Sequence, residues 1–169
     1  MARDPFDQLM ASLDPAMAIV TAAVDGERVG CLVGFHCQSS IEPPGYSVWI
    51  SKANHTYAAA VRASHLAVHF VAAGDRELAR TFGTLTGDQV DKFALVAWHD
   101  GPHGVPVLSE AAHGLVGRRV SVLDDGGDHV VIALAPIESW SGGPFTPLRL
   151  SDVDDLVPGH QPEERPSPT

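Results

Sequence analysis

GFHCQSSIEPPGYSVWISKANHT, residues 34–56, decides how this chain is read. A polar, hydroxyl-rich turn (Gln38, Ser39, Ser40) leads into a double proline, Pro43-Pro44. A short apolar strand follows, then a second polar turn from Ser51 to Thr56. Buried hydroxyls and amides cost free energy unless they are partnered. Small hydrogen-bonding side chains on both flanks of one strand therefore suit a bound anion or polar cofactor better than a plain core.

Working outward, strands dominate. Ala16 to Val24 is apolar and ends at Asp25-Gly26, a strong hairpin signal, with Arg28 to His36 returning. Tyr46 to Ile50 is short and β-prone. His65 to Val71 alternates, with Leu66, Val68 and Phe70 on one face. Leu115–Leu123 and His129–Ile137 form a second hairpin around Asp124 to Gly127. Helices are few. Asn54 or Ser51 is placed to cap 56–63, Asp75 to cap 76–82, and 88–94 suggests a third short turn. About six strands with two or three short helices give a mainly β fold, a small barrel or sandwich.

The chain has 169 residues, 44% of them apolar and 19% charged, which fits one globular domain. Residues 1–140 read as the domain. The stretch 141–169 reads as a C-terminal arm: prolines break regular structure, Phe145 to Val157 can pack on the body, and 161–169 is expected to be disordered. The net charge of −10 argues against nucleic acid as a partner. No apolar run reaches the roughly 20 residues that span a bilayer, and the first ten residues lack a signal-peptide core, so a cytoplasmic location is expected. Cys31 and Cys37, placed on one straight strand, would lie roughly 20 Å apart, which predicts free thiols.

Several short pieces then fall in order. Ser40-Ile41-Glu42-Pro43-Pro44 is followed by the polar turn 51–56, by Leu66-Ala67-Val68-His69, and by Leu78-Ala79-Arg80-Thr81-Phe82. Asp91-Lys92-Phe93, Pro106-Val107-Leu108 and Gly127-Asp128-His129 complete the series. Over roughly residues 10 to 139 this resembles the flavin reductase-like family of FMN-binding split barrels. The resemblance implies a split β-barrel homodimer with FMN or FAD at the subunit interface. It also implies hydride transfer from NADH or NADPH to the flavin, often for a partner monooxygenase. A non-catalytic flavin-binding protein and a deazaflavin (F420) enzyme of the same fold are the alternatives. Many members read Thr-x-Ser-Ser-(Phe/Leu) where this chain has Leu32-Val33-Gly34-Phe35-His36, the mark of a divergent subgroup.

Site residues follow. Ser51, Lys52, Asn54 and Thr56 sit before a helix, where backbone N–H groups and the helix dipole favour a phosphate. Cys37, Gln38, Ser39 and Ser40 are candidates for the hydrogen-bonding edge of the flavin. Lys92 is expected to face a cofactor phosphate, with a solvated helical lysine as the plain alternative. On the family reading His129 lies by the nicotinamide and is the catalytic candidate. Nine histidines are present, but no HExxH or paired CxxC, and no metal is expected. No Gly-x-Gly-x-x-Gly follows a strand, so a dinucleotide would stack over the flavin rather than sit on a Rossmann domain.

Overall fold

The computed structural model describes residues 4–159. The chain begins with a helix that the pattern reading did not anticipate, α1 (Pro5–Leu13). Its start is chemically ordinary. Pro5 stands at the first helical position, and the Asp4 side chain accepts the Phe6 N–H at 2.9 Å.

Seven strands then build one antiparallel sheet. They are β1 (Ala18–Val24), β2 (Glu27–Val33), β3 (His36–Ser40), β4 (Gly45–Ser51), β5 (His65–Phe70), β8 (His113–Leu123) and β9 (His129–Ser141). The order across the sheet is β2-β1-β5-β8-β9-β4-β3. A two-stranded ribbon, β6 (Trp98–Asp100) with β7 (Pro106–Leu108), packs beside it. Helices α2 (Thr56–Ala60) and α3 (Arg76–Thr84) complete the regular structure, and 92–94 is a single 3₁₀ turn rather than a helix from 88.

The Asp25-Gly26 hairpin forms as its sequence requires. Asp25 (φ 53) and Gly26 (φ 81) both take the left-handed conformation of a tight two-residue turn, and Val24 pairs with Glu27. The two outer strands, β2 and β3, are consecutive in the chain, so the sheet rolls toward itself. Val20 and Ala22 of β1, Val29 and Cys31 of β2, Ile50 of β4, Val68 of β5 and Leu134 of β9 meet in one core capped by α2. Each is at most 3% exposed, which only a curved sheet allows.

A second apolar layer lies outside this barrel, where α3 packs Leu78, Ala79 and Phe82 against Ile19 and Phe93. The arm joins this layer by backbone bonds. Met17 N–H donates to the Leu148 carbonyl at 2.8 Å, and Leu148 N–H donates to Val71 at 2.9 Å. Leu148 is 1% exposed, so the arm is pinned to the body at its centre. Arg76 holds the arm further on, through the Asp152 carbonyl and the Asp155 carboxylate. The disorder expected for 161–169 lies outside the described residues.

Three further expectations are corrected. Residues 37–40 are not a turn but most of edge strand β3. Cys31 and Cys37 therefore sit on different strands; both are free thiols, Cys31 buried and Cys37 exposed. Asp75 precedes α3 but makes no side-chain cap bond. No helix among the described residues is long and apolar enough to cross a membrane.

Candidate functional site

The register of β4 against β9 builds the site. Ser51, the last residue of β4, is paired with His129, the first residue of β9. The two adjoining turns are zipped together as well. Lys52 N–H donates to the Asp128 carbonyl at 2.9 Å, and Lys52 Nζ meets Asp124 Oδ1 at 2.8 Å. Residues more than 70 positions apart thus share one end of the sheet.

Asn54 and His55 fix the shape of the 51–56 turn. Asn54 Oδ1 accepts the Thr56 N–H at 2.9 Å and so caps α2 with one end of its amide. Its NH₂ end remains as a donor. The Ser51 hydroxyl oxygen accepts the Ala53 N–H at 3.3 Å and keeps its own proton to donate. His55 is held between two carboxylates, Glu27 at 3.0 Å and Asp88 at 2.7 Å.

Ser51, Asn54 and His129 share the wall of a cavity of about 540 Å³. Met17, Leu32 and Phe82 give it an apolar floor, and Leu150, Val153 and Leu156 of the arm close another side. His129 Nδ1 lies 2.8 Å from Asp128 Oδ1, and its ring meets Phe35 at a centroid distance of 5.0 Å. When Nδ1 carries the proton and donates it to Asp128, Nε2 is left as an acceptor.

The other expected site residues are placed elsewhere. Cys37, Gln38, Ser39 and Ser40 lie on exposed β3, outside this wall. Ser40 Oγ donates to the Pro43 carbonyl at 2.6 Å, and Ser39 Oγ accepts from Ser47 at 2.9 Å. Thr56 is buried beside Cys31, and burial pushes the Cys31 thiol up to about 11. Lys92 is the clearest correction. It is 6% exposed, and Nζ donates to the carbonyls of Gly30 at 2.9 Å and Phe82 at 3.2 Å. Burial lowers its pKa, and its role is to satisfy backbone between β2 and α3. It borders a separate cavity of about 390 Å³ with His55 and Phe93.

The residues missed from sequence are Leu32, Phe82 and the arm side chains. In the stretch 32–36, Leu32 stands in the cavity wall and Phe35 packs against His129.

An apolar floor with a few hydrogen-bonding groups on one rim matches a flat heteroaromatic ligand. The volume falls within the usual range for small-molecule sites, roughly 300–1,000 Å³. The residues present therefore fit a flavin, with the Asn54 amide, the Ser51 hydroxyl and His129 able to meet its polar edge. Fold and site together define a rolled β-sheet protein of the flavin-binding type.

The chain belongs to the flavin reductase like domain family, whose model matches residues 10–148. It is 32% identical over 137 residues to the reductase component of a Rhodococcus opacus 4-nitrophenol 4-monooxygenase/4-nitrocatechol 2-monooxygenase, covering 81% of this chain and 71% of that protein. It is 28% identical over 143 residues to the FMN reductase (NADH) RutF of Ancylobacter novellus, covering 85% and 78%. Among solved structures, the FMN-binding protein of Thermus thermophilus shares the fold with a TM-score of 0.74 at 21% identity, covering 94% and 84%.

Proposed function

We propose that this protein is an NAD(P)H-dependent flavin reductase that binds FMN or FAD in the cavity shared by Ser51, Asn54 and His129. The observation that carries the reading is the pairing of Ser51 with His129, which sets the polar turn and the histidine on one wall. Reductase components and FMN reductases among its relatives support the same conclusion.

Flavin, when bound, supplies the two-electron chemistry. The chain's own work is binding, orientation and exclusion of water. The Asn54 NH₂ and the Ser51 hydroxyl donate toward the ligand's polar edge or phosphate. Leu32, Phe82 and the arm give apolar walls, which strengthen those polar contacts by lowering the local dielectric. Asp128 holds the His129 ring, so Nε2 meets the second substrate in a fixed direction. No strongly acidic or basic group is required, because the rate depends on how closely two rings are stacked.

The protein acts as a homodimer in this reading and passes reduced flavin to a monooxygenase. The test is oxidation of NADH and NADPH by purified protein with added FMN or FAD. Saturable turnover that drops at least about tenfold in His129→Ala supports the reading. No turnover with any of the four pairs removes it.

A further inference from the structure

We propose that Asp154, on the C-terminal arm, makes this site select NADH over NADPH. The inference rests on the reductase reading above and goes beyond it, because the arm from residue 150 lies outside the segment matched by the family model.

Among the described residues, the cavity wall contains two carboxylates, Asp128 and Asp154, and neither lysine nor arginine. Lys52 is held by Asp124, and Arg76 by Asp155 and the Asp152 carbonyl. Arg149 Nη1 donates to the Asp14 carbonyl at 3.4 Å. The arm's acids are divided in the same way. Asp152 accepts the Arg149 N–H at 2.8 Å and Asp155 takes Arg76, whereas Asp154 forms no ion pair among the described residues. The Arg76 clamp thus fixes the segment with one uncompensated carboxylate in the cavity wall.

The two dinucleotides differ at one position. NADH has a ribose 2′-hydroxyl, which donates a hydrogen bond to a carboxylate. NADPH has a phosphate there, with a charge of about −1.5 to −2 at neutral pH and no proton to offer beyond its second ionisation. Carboxylates select for the hydroxyl form in other dinucleotide sites for this reason. A net charge of −10 adds repulsion of the same sign.

The experiment uses the full chain with FMN and measures kcat/KM for NADH and NADPH. Calorimetry gives Kd for NAD⁺ and NADP⁺ in parallel. The unmodified protein should favour the non-phosphorylated form about tenfold or more in both ratios at low salt. Asp154→Asn should bring both ratios within about threefold of unity, and Asp154→Lys should invert them, through KM and Kd rather than kcat. The preference should shrink between about 0.05 and 0.3 M salt in the unmodified protein and not in Asp154→Asn. Thermal midpoints and FMN affinity of each variant report folding and flavin binding independently. Equal use of both dinucleotides, or ratios unmoved by the Asp154 substitutions, overturns the assignment while leaving the reductase reading intact. Oxidation of neither dinucleotide, with neither one bound, overturns both.

Discussion

His69 is held neutral by its two partners. Nδ1 bonds the Ile19 carbonyl at 3.0 Å, so it must donate, and Nε2 accepts the Leu108 N–H at 3.0 Å. The ring is fully buried, and burial pushes its pKa down to about 4 from 6.5. Protonation is therefore easier in the unfolded chain. The stability contribution is complete above about pH 6.5 and is lost as pH falls toward about 4. The total loss is about 3 kcal/mol, from a shift worth about 1.4 kcal/mol per unit. Urea midpoints from pH 7 to pH 4 should show this slope, and His69→Gln should flatten it. Lys92 gives a second test at this scale. Lys92→Ala orphans two buried carbonyls and opens a void, so it should cost about 2–4 kcal/mol in urea unfolding, against under about 0.5 for a solvated lysine. The motif pointed to Lys92, but its burial was not legible, because a charge inside the protein depends on carbonyls brought in from Gly30 and Phe82.

At the scale of elements, the 51–56 turn combines structure and ligand chemistry in one side chain. Asn54→Ala removes the cap of α2 and the free amide together. It should cost about 1 kcal/mol of stability and at least about tenfold in FMN affinity, read by calorimetry. Asn54→Asp should restore the cap alone, keeping stability while affinity stays low. Gly30 leaves room for Phe82, part of the cavity floor. A Cβ there would fall 2.7 Å from the Phe82 ring and 3.2 Å from Thr21, so Gly30→Val should destabilise by about 1–3 kcal/mol and displace a cavity wall. The Asp-Gly turn and the cap of α2 were legible because both are short-range. Strand β3 was misread as a turn because Gln38, Ser39 and Ser40 carry turn chemistry. An exposed edge strand tolerates such residues, since nothing packs on them.

Across the whole molecule, the arm is the least local feature. Leu148 crosses between Met17 and Val71 and closes the outer layer. Leu148→Ala should cost about 2–5 kcal/mol and loosen the cavity wall built by Leu150 to Leu156, with faster proteolysis of the arm as the readout. Helix α1 presents Phe6 (65% exposed), Leu9 (58%) and Leu13 (66%) at helical spacing on the surface. An apolar stripe of this kind fits the proposed homodimer, for which light scattering should return twice the chain mass.

The sequence by itself determined the mainly β class, the β1–β2 and β8–β9 hairpins, helices α2 and α3, and the family. Each rests on interactions between residues close in the chain or on motifs in fixed order. Tertiary structure decided which of the expected site residues meet. The β4–β9 register brought Ser51 and His129 together, the strand order left Ser40 on the outer edge, and the packing of α3 on β2 buried Lys92. Docking through Leu148 and Arg76 carried the arm, with Asp154, to a cavity more than 70 residues away from it in the chain at Phe82. Strand register and arm docking are chosen by the summed burial of distant apolar side chains, and no local pattern encodes that sum.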